Sequence, residues 1–256
     1  MNNRNQPKNL RRDLETIVYD DIDSCPYIKG NASRTPMRYQ HRRLSSEEMD
    51  RSFSSGDRRV GFMLYHPECP NCSACEPIRV PVGSHKATKS MRRILRKNSD
   101  LYVELGIPKC DEQRLNLYNR HKFERNLSAN EREMTAVSYE GWLINSCQET
   151  KEFRYHLNGE LIGISIVDIG AYDMSSVYFY FNPDYSSRCL GTFSALFEMD
   201  WMRKREMRYY YLGLYVEQCQ HLSYKSRYYP HERLIQGDWK RFETSKTTPE
   251  QARQIK

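Results

Sequence analysis

The sequence predicts an α+β protein in which a smaller cysteine-bearing N-terminal region, residues 13–84, precedes a larger domain, residues 85–245. Turn signals and cysteines crowd the first region, whereas helical and strand patterns alternate in the second. Only 38% of the 256 residues are hydrophobic, but 12% are aromatic, including 19 Tyr, which is enough to build a core. The polar ends, residues 1–12 and 246–256, are predicted to be flexible tails.

The predicted elements begin on either side of the cysteine run. In chain order they are strands Val60–Tyr65 and Pro77–Val82, helix Ser90–Lys97, strand Leu101–Leu105, helices Asp111–Arg125 and Ser138–Cys147, strands Glu152–Leu157, Leu161–Ile169 and Ser175–Phe181, helix Leu190–Met207 and strand Tyr209–Val216. Asp111 and Ser138 are residue types that cap helices.

The order from Leu101 onward is strand, two helices, three antiparallel strands, helix, strand. Asn158-Gly159 is a strong hairpin signal between the first two of the three strands. The long helix would cross the sheet to a parallel strand by a right-handed connection. This is the order of elements in the GNAT acyltransferase fold, so the larger domain is predicted to be GNAT-like.

The composition indicates a soluble, cytoplasmic protein with a polyanionic partner. The formal net charge of +7 suits tRNA, although a solvated basic surface would give the same value. No apolar stretch approaches the ~20 residues that span a bilayer, and the start has no apolar segment typical of a signal peptide. In a cytoplasmic protein, cysteines are expected to be free thiols or metal ligands rather than disulfides.

The run Cys69-Pro-Asn-Cys72-Ser-Ala-Cys75 predicts a metal centre. Zinc takes four tetrahedral ligands, and a [4Fe–4S] cluster uses the same Cys-x2-Cys-x2-Cys spacing. Cys25 is the first candidate for the fourth ligand and His66 the second. The alternative is three reduced thiols that pack a loop. The other four cysteines are predicted to be buried small hydrophobes.

A second motif, Arg188-Cys-Leu-Gly191-Thr192-Phe193, lies at the start of the long helix. Backbone N–H groups at such a start hold the pyrophosphate of an acyl donor. We expect Arg188, Gly191 and Thr192 to contact the donor. Phe193 is predicted to obstruct a pyrophosphate, which argues against acetyl-CoA. The alternative is a helix start without a ligand.

Basic residues with nearby aromatics form the third pattern. Phosphates need the positive charge, and unpaired bases stack on aromatic rings or guanidinium planes. The residues predicted to bind tRNA are Arg92, Arg93, Arg96 and Lys97 on the short helix, and Arg203 and Arg205 before Tyr209–Tyr211. The alternative is a solvated helix face beside a buried strand.

Several stretches together carry a family resemblance. They are Cys25-Pro-Tyr27-Ile; Gly56-Asp-Arg58-Arg59-Val-Gly61; Tyr65-His-Pro67-Glu-Cys69; Cys72-Ser-Ala-Cys75-Glu-Pro77-Ile78-Arg79-Val80; Ser90-Met-Arg-Arg93; Tyr178-Phe-Tyr180; Leu190-Gly191-Thr192; and Tyr211-Leu212-Gly213 running on to Cys219, Tyr224-Lys225 and Arg227. Over residues 20 to 240 the chain resembles the bacterial aspartate/glutamate leucyltransferases, which are leucyl-tRNA–protein transferases related to eukaryotic arginyl-tRNA–protein transferase.

The resemblance implies a GNAT-like catalytic domain, aminoacyl-tRNA as donor, and proteins with N-terminal Asp or Glu as acceptors. The product would be a degradation signal of the N-degron pathway. The resemblance to the eukaryotic relatives implies an iron–sulfur cluster as the first choice for the group bound by the cysteines, with zinc as the second. The segment after Arg125 and the residue Leu222 depart from the family pattern, so leucine and arginine both stay open as the amino acid transferred.

The transfer chemistry itself needs no cofactor. DNA is not an expected partner. An aminoacyl ester is already activated, and its attack by an amine makes an oxyanion that preorganised donors stabilise. Family position and charge indicate Arg79, Lys225 and Arg227 for the acidic acceptor side chain. Tyr180, Tyr211 and Tyr224 are predicted to donate to the oxyanion or to line the amino-acid pocket, with core packing as the alternative. Two other functions stay open: an acetyl-CoA-dependent GNAT acetyltransferase, and a non-enzymatic metal- or RNA-binding module.

Overall fold

The structure is a computed structural model that describes residues 14–127 and 132–254. The predicted N-terminal tail, residues 1–12, lies outside the described residues. The described chain is organised around one nine-stranded sheet, a four-stranded sheet and a short two-stranded hairpin.

The strands are β1 Glu15–Tyr19, β2 Ile22–Ser24, β3 Ala32–Arg34, β4 Met37–Gln40, β5 Arg58–Val60, β6 Met63–Tyr65, β7 Glu76–Pro81, β8 Tyr102–Gly106, β9 Thr150–Leu157, β10 Glu160–Ile169, β11 Met174–Phe181, β12 Tyr209–Tyr215, β13 His231–Ile235, β14 Asp238–Phe242 and β15 Arg253–Gln254. The α-helices are α1 Ser46–Ser54, α2 Lys89–Lys97, α3 Glu112–Glu124, α4 Ala136–Tyr139, α5 Leu190–Arg203 and α6 Gln220–Ser223. A π-helical turn, Glu140–Ile144, and two 3-10 turns, Pro183–Arg188 and Tyr224–Arg227, complete the description.

The predicted order of elements from β8 to β12 is confirmed. β8, β9, β10 and β11 pair antiparallel in sequence, and α5 then crosses over to β12, which pairs parallel with β11. Asn158 and Gly159 form the predicted hairpin turn, with φ of 49° and 87°. Asp111 caps α3, since its side chain accepts a hydrogen bond from the Arg114 amide.

Helices cover both faces of the large sheet. Helices α2 and α5 pack on one face, where Met91 of α2 and Met199 of α5 join the same buried cluster. On the other face Leu117 of α3 and Tyr139 of α4 share a second cluster with Ile164 of β10. The four-stranded sheet lies over this second face, because the Gly61 amide donates to the Trp142 carbonyl at 3.2 Å.

Three predicted elements differ from the structure. Val60–Tyr65 is split at Gly61, whose φ is 57° and where a Cβ would lie 2.5 Å from a carbonyl oxygen. Ser138 is not a cap: α4 begins after Thr135, whose side chain accepts from the Ser138 amide, and ends in the π-helical turn. The long helix ends at Arg203 rather than at Met207.

The boundary predicted at residue 84 does not separate two sheets. Strand β7 belongs to the cysteine-bearing region in sequence but lies between β12 and β13 in the large sheet. The stretch predicted as a C-terminal tail also folds back, and residues 253–254 pair with β14. Helix α1, with its Ser45–Glu48 capping box, and strands β13 and β14 were absent from the predicted elements.

Candidate active site between two diverging strands

The candidate site is an opening in the large sheet. Strands β11 and β12 pair only at Met174–Tyr210 and Ser175–Tyr211, after which they diverge. Beyond this point backbone groups on the facing edges have no partner across the gap, so they are available to side chains or ligands. The divergence creates a cleft that reaches the backbone of both strands.

Arg58 lies where the strands begin to separate. Its Nη1 atom donates to the Ser176 carbonyl at 2.9 Å and to the Ser175 hydroxyl at 3.3 Å. The guanidinium rests against Gly213 of β12, where an added Cβ would lie 3.0 Å from Cζ. Arg58 forms no ion pair with an acidic residue of the described chain. It therefore brings an uncompensated positive charge to the inner end of the cleft.

Lys225 brings a second basic side chain to the next residue of β12. Its Nζ atom donates to the Leu214 carbonyl at 2.8 Å, and it too lacks an acidic partner within the described ranges. Burial and the nearby Arg58 lower the pKa of Lys225 to about 7, while Cys219 acts in the opposite direction. Arg58 and Lys225 together form the cation pair of the cleft.

Tyr27, which lies two residues after Cys25, is near Arg58. Burial, Tyr65 and Cys75 raise the pKa of the Tyr27 hydroxyl to about 12, and Arg58 acts to lower it. Tyr27, in the loop between β2 and β3, is thus near both Arg58 and the cysteine run. No spacing in the sequence signals this contact, because Tyr27, Arg58 and Lys225 are far apart along the chain.

The outer end of the cleft is aromatic and basic. Tyr224 is 42% exposed, and the Arg227 guanidinium carbon lies 5.4 Å from the centre of its ring. Burial raises the pKa of Tyr224, and Arg227 and Arg125 act to lower it, which places both cations near its hydroxyl. Tyr178 of β11 is also near Arg125, which acts to lower its pKa against the effect of burial. Of the three predicted catalytic tyrosines, only Tyr224 is open to a substrate.

Tyr180 and Tyr211 are core residues, which corrects their predicted catalytic roles. Tyr180 is fully buried, and its hydroxyl lies 2.5 Å from that of Tyr139. Tyr211 is 4% exposed, and its hydroxyl accepts a hydrogen bond from Arg79. Burial raises the pKa of both far above the usual tyrosine range. Both hydroxyls are already satisfied, so the core-packing alternative is the one observed.

Arg79 is also occupied, which corrects its predicted role as a ligand for the acceptor side chain. Its Nε atom donates to Glu232 at 2.7 Å and its Nη1 atom to the Tyr211 hydroxyl at 2.9 Å. The guanidinium carbon lies 3.8 Å from the ring centre of Tyr209 and 4.0 Å from that of Trp239. With both faces stacked and the charge paired, Arg79 has no open side for a substrate carboxylate.

The start of α5 differs from the expectation about Phe193. The ring is 5% exposed and packs against Tyr155 with ring centres 5.9 Å apart, so it points into the core. The prediction that Phe193 obstructs the helix start is wrong, and this residue gives no reason to exclude acetyl-CoA. Gly191 and Thr192 remain accessible, whereas Arg188 is paired with Asp100 at 2.9 Å.

The cysteines gather from three segments. Burial and the neighbouring Cys69, Cys25, Cys72 and Cys219 raise the pKa of Cys75 to about 12. Backbone amides donate to two of the sulfurs, from Ile28 to Cys25 at 3.4 Å and from Arg34 to Cys69 at 3.5 Å. His66 instead pairs with Asp57 and Glu68. Within residues 14–127 and 132–254, no three His, Cys, Asp or Glu side chains stand in an arrangement that could hold a metal ion.

The cysteines outside the predicted metal set are mostly not buried, contrary to the prediction. Of these four, only Cys147 is buried. Cys189 is exposed at the start of α5, and Cys110 and Cys219 are half-buried. Cys219 joins the neighbourhood of Cys75, which periodicity could not reveal.

The predicted tRNA-binding residues lie on one side of the molecule. Helix α2 runs antiparallel to α5: Lys97 donates to the Ser187 carbonyl at 2.8 Å, and Arg203 donates to the Val82 carbonyl at 3.2 Å. The exposed side chains of α2 include Arg92, Arg93, Arg96 and Lys97. Arg203 also pairs with Asp200, and Arg205 stacks on Trp201 at 3.9 Å, so the charge of α5 is partly engaged.

Comparison with known proteins defines the class first. The model of the arginine-tRNA-protein transferase C terminus matches residues 113–235, and that of its N terminus matches residues 23–93. The protein is thus an aminoacyltransferase of the tRNA-dependent class that modifies proteins. Aspartate/glutamate leucyltransferase of Aeromonas salmonicida is 31% identical over 220 residues, which cover 86% of this chain and 92% of that protein. The aspartate/glutamate leucyltransferase of Marinobacter nauticus is 29% identical over 233 residues, which cover 90% of this chain and 98% of that protein. The chain belongs to the aspartate/glutamate leucyltransferase family.

Solved structures are more distant. FemX has a TM-score of 0.43 at 7% identity, with 71% of this chain and 63% of FemX covered. The C-terminal domain of a lysylphosphatidylglycerol synthetase from Agrobacterium fabrum has a TM-score of 0.44 at 12% identity, with 56% and 47% covered. Similarities this weak carry no conclusion about function. Separately, no helix among the described residues is long and apolar enough to cross a membrane.

Proposed function

We propose that this protein transfers leucine, or arginine, from its charged tRNA to the α-amino group of proteins that begin with Asp or Glu. The observation that carries the proposal is the cleft between β11 and β12 in a chain of this family, with the unpaired cations Arg58 and Lys225 at its inner end. The strand–helix–strand arrangement around the cleft also favours a GNAT-like acyltransferase domain. We place the reaction in the cytoplasm and its product in the N-degron pathway.

The reaction needs alignment more than activation. The acceptor nitrogen attacks the carbonyl carbon of the aminoacyl ester, a peptide bond forms, and the ester C–O bond breaks. The tRNA hydroxyl leaves with the proton that the amine gives up. A free α-amine has a pKa of ~8, so a useful fraction is neutral near pH 7. We assign to Tyr224, which is exposed at the outer end of the cleft, the hydrogen bond to the developing oxyanion.

The donor tRNA is assigned to the basic side of the molecule. The exposed side chains of Arg92, Arg93, Arg96 and Lys97 offer charge to phosphates. Arg227 and Arg125, with Tyr224 and Tyr178, offer a cation–aromatic site for the unpaired 3′ end. We also assign Gly191 and Thr192, at the start of α5, to contact with the donor.

The test supplies purified protein with leucyl-tRNA and arginyl-tRNA separately, together with a peptide that begins with Asp. Transfer of one amino acid to the peptide, and none to an N-acetylated copy of it, is the expected result. Incubation with labelled acetyl-CoA is the control for the rival acetyltransferase activity. Tight binding of tRNA without any transfer from either charged tRNA would contradict the proposal and favour a binding module.

A second proposal concerns the cysteines. Cys25, Cys69, Cys72 and Cys75 offer four thiolates, and amide donors to sulfur support the charge that such ligands carry. We assign them an iron–sulfur cluster first and zinc second, although the sulfurs are not at ligand positions. When bound, the group would tie the β2–β3 loop to the cysteine run and take no part in the transfer.

Metal analysis and visible absorption of protein purified without oxygen test the cysteine assignment. Iron with thiolate-to-iron absorption is expected for the cluster, and stoichiometric zinc for the second choice. Absence of both metals, with Cys72→Ala as stable and active as the parent, would contradict the assignment.

A further inference from the structure

The cation pair differs from the other buried arginines near the cleft in having no acidic partner among the described residues. Arg59, the next residue, donates from Nε to Asp168 at 2.8 Å. Arg79 pairs with Glu232, and Arg38 pairs with Asp57. Two cations side by side repel each other, so an arrangement that leaves both unpaired is costly unless an anion visits.

The open edge of Arg58 has the shape that a carboxylate needs. Both of its hydrogen bonds come from Nη1. Nε and Nη2 make no hydrogen bond to the described residues, and Gly213 lies against the flat face of the guanidinium, where an added Cβ would be 3.0 Å from Cζ, 3.2 Å from Nη2 and 3.3 Å from Nε. The Nε–Nη2 edge is therefore free of hydrogen-bond partners within the described residues, and the absence of a side chain at Gly213 lets the backbone pack on the face beside it. A guanidinium edge with two parallel N–H groups binds a carboxylate in a bidentate manner, which a single ammonium cannot do.

Position within the cleft favours a small anion. Arg58 and Lys225 contact consecutive residues, Gly213 and Leu214, at the end where β11 and β12 have only begun to separate. A nucleic-acid backbone needs more room and finds it at the exposed Arg125 and Arg227. A carboxylate on a stem of one or two carbons reaches the inner end while its own α-amine stays further out.

We propose that Arg58, with Lys225 beside it, binds the side-chain carboxylate of the acceptor's first residue and thereby determines the preference for Asp and Glu. This inference rests on the proposed function and assigns a residue to the acceptor side chain. Arg58 is a specificity-determining residue, whereas Arg79, which family position favoured, is a structural one.

The test compares kcat/KM for two peptides that differ only in Asp or Asn at the first position. In Arg58→Gln the value for the Asp peptide should fall about ten- to a hundredfold, as the loss of a charge-assisted hydrogen bond implies. The value for the Asn peptide should change far less, so the Asp/Asn ratio should collapse. Arg58→Lys should keep part of the ratio, because it retains the charge without the fork.

Three controls keep the outcome clear. Arg42→Gln makes the same change at an exposed arginine paired with Glu48 and should leave the ratio unchanged. Lys225→Met provides a second variant, with a smaller loss of ratio, if Arg58→Gln does not fold. KM for leucyl-tRNA is measured in parallel, and a rise there with an unchanged Asp/Asn ratio would overturn the inference in favour of a phosphate site.

The two proposals fail in different ways. If the parent protein transfers nothing to either peptide from either charged tRNA, the proposed function is wrong. If the parent prefers Asp and both Arg58→Gln and Lys225→Met keep that preference, the function stands and the inference about Arg58 is wrong. Equal losses for the Asp and Asn peptides would also overturn it, since they indicate damage to the cleft as a whole.

Discussion

Two groups of cations adjoin strand β12, and they differ in what surrounds them. Arg79 is 6% exposed, paired with Glu232, hydrogen-bonded to Tyr211 and stacked between two aromatic rings. Arg58 and Lys225 bond to backbone oxygens and find no carboxylate in the described chain. The charge of Arg79 is paired within the fold, whereas the second group has no acidic partner among the described residues.

The difference shows which arginine holds the sheet together and which can bind a ligand. Strand β13 brings Glu232 opposite Arg79 of β7, so the ion pair fastens the C-terminal hairpin to the sheet. Strand β5 brings Arg58 to the cleft without an acid. A charge that is neutralised within the fold serves stability, and one that is left over serves recognition.

The largest expected effect is on stability at Arg79. Arg79→Met removes one partner of a buried pair, and such a change costs about 3–5 kcal/mol of unfolding free energy because Glu232 keeps an unpaired charge. Chemical denaturation measures it. The Arg79→Met/Glu232→Leu double variant should recover much of the loss. If Arg79→Met has the unfolding free energy of the parent and loses only the preference for Asp, the contrast drawn between Arg79 and the cation pair is wrong.

A substitution at Gly213 tests the position of the Arg58 guanidinium, which packs against this glycine. Gly213→Ala places a Cβ 3.0 Å from the guanidinium carbon at a position where φ is 91°. We expect a loss of about 1–3 kcal/mol in unfolding free energy from the strained backbone and a lower Asp/Asn ratio in transfer. Gly237→Ala, with φ of 86° and open space around it, is the matched control for strain alone. An unchanged ratio in Gly213→Ala would show that the position of Arg58 against Gly213 does not set the preference for Asp.

Lys225 should make stability depend on pH. Its pKa is lowered to about 7 from the ordinary 10.5, so between these values the unfolded chain holds a proton that the folded chain has released. Below pH 7 the folded chain bears the full cost of burying the charge. Stability therefore rises as the pH is raised from about 7, and the rise ends near pH 10.5, where the unfolded chain also loses its proton. Lys225→Met should melt above the parent at pH 6, and the gap should narrow toward pH 10. A gap that stays constant with pH would show that Lys225 titrates normally.

The smallest expected effect concerns the solvated cations of α2. Replacing Arg92, Arg93 and Arg96 with Ala should reduce the slope of log affinity for tRNA against log salt by somewhat under one for each phosphate that is no longer neutralised. These side chains are exposed, so stability should barely change. Filter binding over a range of salt measures the slope. A slope equal to that of the parent would remove α2 from the tRNA surface.

Local patterns were sufficient for the elements with a clear period. The hairpin at Asn158-Gly159, the Asp111 cap and the strand–helix–strand order from β8 to β12 follow from turn chemistry, capping and hydrophobic spacing, which act between near neighbours in the chain. The family could likewise be inferred from short blocks such as Cys72-Ser-Ala-Cys75 and Tyr211-Leu212-Gly213. Short strands such as β1 to β4 lack a period long enough to detect.

The order of elements, the family and the supply of cations, tyrosines and thiols can all be inferred from the residues alone. Which of these side chains are free to act depends on tertiary packing. Arg79 and Arg58 are equally basic in the sequence, and their roles separate because β13 supplies an acid to one and β5 carries the other to a break in the sheet. The roles of Tyr180 and Tyr224 also differ because Tyr180 is buried and Tyr224 is 42% exposed. Partners distant in sequence set burial and charge compensation, and no local pattern records them.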